Sequence, residues 1–429
     1  MRLKLPTSRA AWATAAVIMT LAAVLFYANL TGTDEHIEHS IPHRYSICDS
    51  QFRRTLSNLL GPPPVGGNRV TPLLNGDQAF PAMLAAIRSA RRSINFEGYI
   101  FWAGAIGQSF ADAFAERARA GIPTHVVVDW LGSKKLGDEL VDQMRQAGVE
   151  VVKYRPLRWY SLDRINQRTH RKLLVVDGKV GFVGGIGIAD IFAGHAEDKN
   201  HWRDSNFRVE GPVVAEMQSD FLDNWLETGG PLLDGLAYFP LPDSAGAEVA
   251  QAFASSPGAG VERLRLMYLL AIASATRSIL IANSYFVPNS LVVTMLVEAR
   301  HRGVDVQIIV PGPILDAKIV SRASRAKWGP LLEAGVKIYQ YQPTMYHTKV
   351  MVVDDCWGSV GSTNFDNRSF RLNDESNLNV FDEGFAREQA RIFGEDRARS
   401  RPVTLDEWRH RPITERLEEW VGRLVRHQL

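Results

Sequence analysis

The chain repeats itself, and the repeat limits what it can fold into. Arg92-Ser93-Ile94 returns as Arg277-Ser278-Ile279, and the stretch from Glu116 to Ile122 returns in outline from Glu298 to Val304. Arg145-Gln146-Ala147-Gly148-Val149-Glu150 is matched by Leu332-Glu333-Ala334-Gly335-Val336-Lys337, and Tyr154-Arg155-Pro156 by Tyr341-Gln342-Pro343. One such match would be a common helix-turn-strand pattern, whereas several in the same order mark an internal duplication. A chain of 429 residues is also longer than a single hydrophobic core usually grows. Two similar halves are therefore expected, residues 71–235 and 236–400, with a boundary in the Gly/Pro-rich region from Gly229 to Gly260. Inside the first half, strands are read over 93–97, 124–128 and 149–154, with helices over 107–120 and 138–146 between them. The fold class is α/β: two β-α-β-α units, each with a central mixed sheet covered by helices.

Each half closes on nearly the same eight residues. The first run is His170-Arg171-Lys172-Leu173-Leu174-Val175-Val176-Asp177, and the second is His347-Thr348-Lys349-Val350-Met351-Val352-Val353-Asp354. Residues i and i+2 of a strand share a face, so each run offers an imidazole and an ammonium side by side. That pair suits phosphate, since imidazole attacks or moves a proton near neutral pH and ammonium stabilises charge on oxygen. Asp177 and Asp354 fall on the opposite parity. Asp177-Gly178 is a hairpin-turn dipeptide, so a structural or supporting role is the plainer reading for both. A single His-x-Lys is weak evidence, but two copies on repeated strands, each followed at matching distance by Gly184-Gly185 or Gly361-Ser362, are not surface decoration. The sequence holds no Walker loop, no cysteine cluster for zinc and no G-x-S-x-G elbow.

Composition narrows the partners. With 49 Lys+Arg against 47 Asp+Glu there is no strong field to draw the molecule onto a polyanion, and nucleic acid is not expected. Cys48 and Cys356 are too few for a disulfide framework; one bridge is possible and two free thiols are the plainer reading. At the amino end a basic segment, residues 1–9 with Arg2, Lys4 and Arg9, precedes an uncharged run over 10–30, and Asp34, Glu35 and Glu38 follow. The run is read as a transmembrane anchor with the body on the far side of an inner membrane. A cleaved signal peptide is the competing reading, and a buried core helix a third. Residues 31–70 are expected to be linker and surface segment, with a loop from Gly61 to Asn68, and 401–429 a helical tail with Leu417, Trp420, Val421 and Leu424 on one stripe.

Beyond the paired motifs, the second run continues as Gly361-Ser362-Thr363-Asn364-Phe365-Asp366-Asn367-Arg368-Ser369-Phe370 and then Leu372-Asn373-Asp374-Glu375. The first continues as Gly184-Gly185-Ile186-Gly187-Ile188-Ala189-Asp190 and then His201-Trp202-Arg203-Asp204. From about Pro72 to the C-terminus the sequence resembles the phospholipase D superfamily, in its bacterial cardiolipin synthase-like branch. The resemblance implies a pseudo-twofold site in which both motifs face one phosphate. One histidine, provisionally His170, attacks phosphorus to give a phosphohistidine, and the other, His347, serves as acid and then base. Lys172, Lys349 and Asn364 would hold the nonbridging oxygens. Asp204 would support His170, and Glu375 would support His347. No metal or other cofactor is implied. Gly187 stands where the family has Asn, which leaves room for a larger headgroup or for a substitute donor. The implied partners are membrane phospholipids, phosphatidylglycerol first, in a bilayer. The implied reaction is phosphatidyl transfer giving cardiolipin; hydrolysis to phosphatidic acid and nuclease action are the alternatives. Phe101, Trp102, Trp159, Tyr160, Tyr285, Phe286, Tyr346 and Phe370 are candidates to wall the entrance against water.

Overall fold

The structure, a computed structural model, describes residues 8–30, 37–157, 166–257, 262–412 and 415. Its strands are β1 (Val65–Leu74), β2 (Ile94–Gly98), β3 (Thr124–Asp129), β4 (Glu150–Tyr154), β5 (Lys172–Val176), β6 (Val180–Gly184), β7 (Ser205–Glu210), β8 (Glu248–Ser255), β9 (Ser278–Asn283), β10 (Asp305–Pro311), β11 (Lys337–Tyr341), β12 (Lys349–Val353), β13 (Trp357–Gly361), β14 (Glu375–Val380) and β15 (Ser400–Val403). The helices are α1 (Arg9–Leu30), α2 (Ser50–Leu60), α3 (Asn75–Ser89), α4 (Ala105–Arg119), α5 (Asp138–Gln146), α6 (Val214–Glu227), α7 (Arg263–Ser274), α8 (Ser290–His301), α9 (Lys318–Arg325), α10 (Trp328–Glu333), α11 (Asn367–Arg371), α12 (Glu383–Ala398) and α13 (Leu405–Arg409).

All strands join one mixed sheet in the order β15-β11-β10-β9-β12-β13-β14-β8-β1-β7-β6-β5-β2-β3-β4. Read outward from the centre, β1-β7-β6-β5-β2-β3-β4 repeats β8-β14-β13-β12-β9-β10-β11. The repeats meet where β1 pairs antiparallel with β8, Val65 opposite Ala250 and Asn68 opposite Glu248. In each repeat two parallel pairs, β2/β3/β4 or β9/β10/β11, carry the βαβ crossovers, and the motif strand runs antiparallel to the first of them. The central strands β2, β3 and β5 are buried on both faces, which is why they read as continuous apolar runs rather than alternating ones.

The sequence reading departs from the structure at the amino end. Residues 10–30 do form a helix within α1, but among the described residues no helix is long and apolar enough to cross a membrane. The expected transmembrane anchor is corrected accordingly, and with it the single-pass inner-membrane topology with a periplasmic body. The run was uncharged without being uniformly apolar. Alanine dominates α1, a strong helix former with little side chain to transfer into lipid. The bulkier apolar residues concentrate between Val17 and Phe26, about 15 Å of helix against a hydrocarbon core about 30 Å thick. The loop read from Gly61 to Asn68 is also shorter than expected, because Val65 already begins β1 and the buried Asn68 amide donates to the carbonyls of Val65 and Glu248. The tail residues Leu417, Trp420, Val421 and Leu424, and Trp159 and Tyr160, lie outside the described residues.

Cys48 and Cys356 are joined by a disulfide, against the plainer reading of free thiols. Their separation of 308 residues hides the contact. It forms because α2 lays Phe52, Leu56 and Leu60, spaced four apart, into the core around α7 and Trp357, bringing Cys48 to the β12–β13 turn.

Candidate active site

His170 and His347 stand just ahead of the strands that carry the apolar halves of their motifs, and Lys172 and Lys349 open those strands. Lys172 pairs with Gly98 of β2, and Lys349 with Asn283 of β9, the equivalent register. At the far ends, five residues or roughly 16 Å of strand away, Asp177 and Asp354 adopt positive φ (56° and 55°) in the hairpin turns. Asp177 accepts from the backbone N–H groups of Arg91, Arg92 and Ser93, and Asp354 from those of Thr276, Arg277 and Ser278. The motif aspartates thus fasten each hairpin to the start of the neighbouring strand and do not reach the histidines.

The carboxylates that do reach them come from the opposite repeat. His170 Nδ1 lies 3.0 and 3.1 Å from the Glu375 oxygens, and His347 Nδ1 donates to Asp204 at 2.6 Å. This reverses the pairing expected from the sequence, in which Asp204 served His170 and Glu375 served His347. The backbone explains the exchange. Thr169 forms a parallel bridge with Asp374, and Arg203 with Tyr346. His170 N–H donates to Asp374 O at 2.8 Å, and His347 N–H donates to Arg203 O at 2.7 Å. The residue before each histidine is therefore stitched to the residue before the other repeat's carboxylate. Gly185 is required beside this contact, since a Cβ there would come within 2.3 Å of an Asp204 carboxylate oxygen; the equivalent Ser362 instead donates its hydroxyl to Glu375.

Burial dominates the electrostatics. It lowers His170 to about 4 against the raising effect of Glu375, and it lowers His347 too, helped by Lys349 and opposed by Asp204. Burial also depresses Lys172 to about 7 and Lys349 to about 8. Glu375 is held below the usual carboxylate range: its burial acts the other way, and the positive side chains around it, His170 foremost, prevail. Burial thus favours the neutral form of both imidazoles, while Glu375 and Asp204 favour the protonated one. An anion arriving between the two rings would favour protonation of both the imidazoles and the lysines.

His170, Lys172 and His347 line one cavity of about 240 Å³, with Asn364, Tyr99, Ile100, Trp202, Tyr285 and Asp316 among its walls, and Lys349 lies behind His347. A larger groove of about 670 Å³ lies along α9 and contains neither motif; both histidines lie in the smaller cavity. The two ends of that cavity differ. Lys349 donates to Ser284, whose hydroxyl donates to Asn364 Oδ1 at 2.7 Å. On the other side Lys172 sits over the Tyr99 ring at 5.6 Å, and that ring meets His170 edge-on. Gly187 opens no space for a larger headgroup: a Cβ there would lie 2.8 Å from Ile100 Cβ, so Ile100 fills the place of the missing side chain.

Of the proposed aromatic wall, Tyr285 lines the cavity, whereas Phe101, Phe286, Tyr346 and Phe370 are buried in the cores. The sequence reading missed Tyr99 and Asp316 and did not count Trp202 as a wall. Tyr99 follows β2 at the position equivalent to Ser284, so the repeat alignment held that signal. Asp316, which accepts from the Tyr285 hydroxyl, precedes α9 in a segment without a counterpart to compare. Among the described residues no group of three or more His, Cys, Asp or Glu is arranged to hold a metal ion.

A duplicated α/β fold that brings the histidines of two matching His-x-Lys motifs onto one cavity defines an enzyme of the phospholipase D type. Residues 268–397 match the family model for the cardiolipin synthase, phospholipase D-like domain. A cardiolipin synthase of Geobacillus kaustophilus is 36% identical over 388 residues, 90% of this chain and 76% of the relative. Cardiolipin synthase A of Pseudomonas putida GB-1 is 34% identical over 373 residues, 87% of this chain and 77% of the relative. Among solved structures, a phosphatidylserine synthase of Haemophilus influenzae superposes with a TM-score of 0.67 at 15% identity, covering 88% of this chain and 99% of its own, a likeness of fold. The chain belongs to the phospholipase D superfamily, in its cardiolipin synthase-like branch, and is an enzyme of phospholipid chemistry, a phosphatidyltransferase or hydrolase.

Proposed function

We propose that the enzyme transfers a phosphatidyl group between two phosphatidylglycerols, giving cardiolipin and glycerol through a phosphohistidine. One observation carries this reading: two imidazoles, each backed by a carboxylate of the other repeat, and Lys172 line a single cavity, with Lys349 held next to His347 by Ser284. His170 Nε2 attacks phosphorus as the bond to the glycerol oxygen breaks. His347 gives that oxygen its proton, and glycerol leaves. His347 then takes the proton from the hydroxyl of a second phosphatidylglycerol, whose oxygen attacks phosphorus as the P–N bond breaks. Glu375 and Asp204 hold each ring by Nδ1, leaving Nε2 for phosphorus or oxygen. Lys172 and Lys349 stabilise charge on the nonbridging oxygens, and Asn364 steadies the second lysine through Ser284. The names of the cardiolipin synthases that this chain resembles support the choice of lipid. Denaturing the enzyme at alkaline pH, where a histidine–phosphorus bond survives, during turnover of phosphatidylglycerol labelled in its phosphate tests the intermediate. Label is expected on histidine in the wild type and absent from His170→Ala; rapid turnover with no bound label at any quench time would refute it.

A further inference from the structure

The catalytic cavity carries two buried polar atoms that its wall leaves without a partner. Arg168, 1% exposed, is fixed by Nε to Gln167 O at 2.9 Å and by Nη2 to Arg155 O at 2.8 Å, with Asp129 Oδ2 3.5 Å from Nε. Its Nη1 has no hydrogen-bond partner. Asn373, 6% exposed, donates from its amide nitrogen to Glu375 Oε1 at 3.3 Å, and its Oδ1 accepts nothing. Both residues line the cavity, and they are neighbours, because Asp374 N–H donates to Arg168 O at 2.9 Å. A buried polar atom left unpaired costs about 1–3 kcal/mol, so two of them on residues that line one cavity point to a ligand.

The pattern says which kind. Arg368 lines the same wall, its guanidinium aligned by Asn166 at 2.8 and 3.1 Å. The Tyr99 hydroxyl lies in the field of both arginines, and the Tyr99 ring packs on His170 with centroids 5.2 Å apart. Two guanidinium groups beside one amide carbonyl ask for anionic oxygens together with a hydroxyl. Lys172 and Lys349 already serve the phosphate under attack. We propose that Arg168, Arg368 and Asn373 form a second subsite for the phosphate and the central hydroxyl of the acceptor phospholipid's headgroup. The subsite rests on the transferase reading and deepens it. A glycerol headgroup separates its terminal hydroxyl from its own phosphate by three carbons, so a phosphate held beside Tyr99 leaves that hydroxyl free to approach the phosphohistidine. Selection of a lipid alcohol over water follows from binding the acceptor's charge.

The test is a competition between acceptors. Full-length enzyme is given phosphatidylglycerol vesicles in buffer containing ethanol, and cardiolipin and phosphatidylethanol are quantified together. Arg168→Gln and Asn373→Ala should each lower the ratio of cardiolipin to phosphatidylethanol, by roughly tenfold or more for the arginine, with Arg168→Lys in between. For the wild type, added glycerol 3-phosphate should suppress cardiolipin and spare phosphatidylethanol, a readout independent of how the variants fold. A ratio unchanged in both variants, or equal suppression of both products by glycerol 3-phosphate, would overturn the subsite while leaving transfer intact. A wild type that yields only phosphatidic acid would overturn the transferase reading and the subsite with it.

Discussion

His170 and His347 are each expected to be indispensable, because in the proposed mechanism one forms the bond to phosphorus and the other moves the proton. Substitution of either by alanine should lower turnover by at least about 100-fold, the low end of a general acid-base contribution, with the fold checked by circular dichroism. The lysines set the alkaline limit. Burial disfavours their charged forms, so Lys172 at about 7 and Lys349 at about 8 lose their protons well below the ordinary lysine range. Under the proposed mechanism the charge that holds the phosphodiester therefore fades as pH rises through 7, where Lys172 loses its proton, and through 8, where Lys349 follows. A profile of kcat/KM on short-chain phosphatidylglycerol should fall across that interval, and a profile flat into the ordinary lysine range would contradict it. These residues were legible because His-x-Lys at strand spacing is a local pattern that the repeat prints twice. Arg168 was not, since nothing in its immediate sequence shows that it borders the same cavity, and Tyr99 is legible only through its repeat equivalence with Ser284.

The exchange of carboxylates belongs to the scale of elements. Whether Asp204 serves His170 or His347 depends on the bridges Thr169–Asp374 and Arg203–Tyr346, contacts between segments far apart in the chain, and no periodicity within a strand encodes them. The sequence showed the right carboxylates and could not show which ring each meets. Ring-nitrogen NMR decides the matter. Asp204→Asn should move the resonances of His347 and leave those of His170 nearly in place, and Glu375→Gln should do the reverse; the opposite result would restore pairing within each repeat. The strands were legible as apolar runs, since β2, β3 and β5 are buried on both faces. The anchor expected over 10–30 is overturned for a comparable physical reason: a run can lack charge without being uniformly apolar, as this alanine-rich helix does.

At the scale of the molecule, each repeat lends the other a carboxylate and the sheet runs unbroken through the β1–β8 pair, so the site exists only when both repeats are folded together. The disulfide from Cys48 to Cys356 pins α2 to the second repeat. Cys48→Ser or Cys356→Ser should lower stability by about 2–4 kcal/mol, read as a fall in Tm under non-reducing conditions, whereas an unchanged Tm would show that α2 docks without it. The central claim, transfer from one phosphatidylglycerol to another, is tested most directly by mass spectrometry of time courses on phosphatidylglycerol vesicles. Cardiolipin and glycerol should accumulate together in equal amounts with little phosphatidic acid. Predominant phosphatidic acid, undiminished as the surface density of hydroxyl-bearing lipid is raised, would contradict the account and identify the enzyme as a hydrolase.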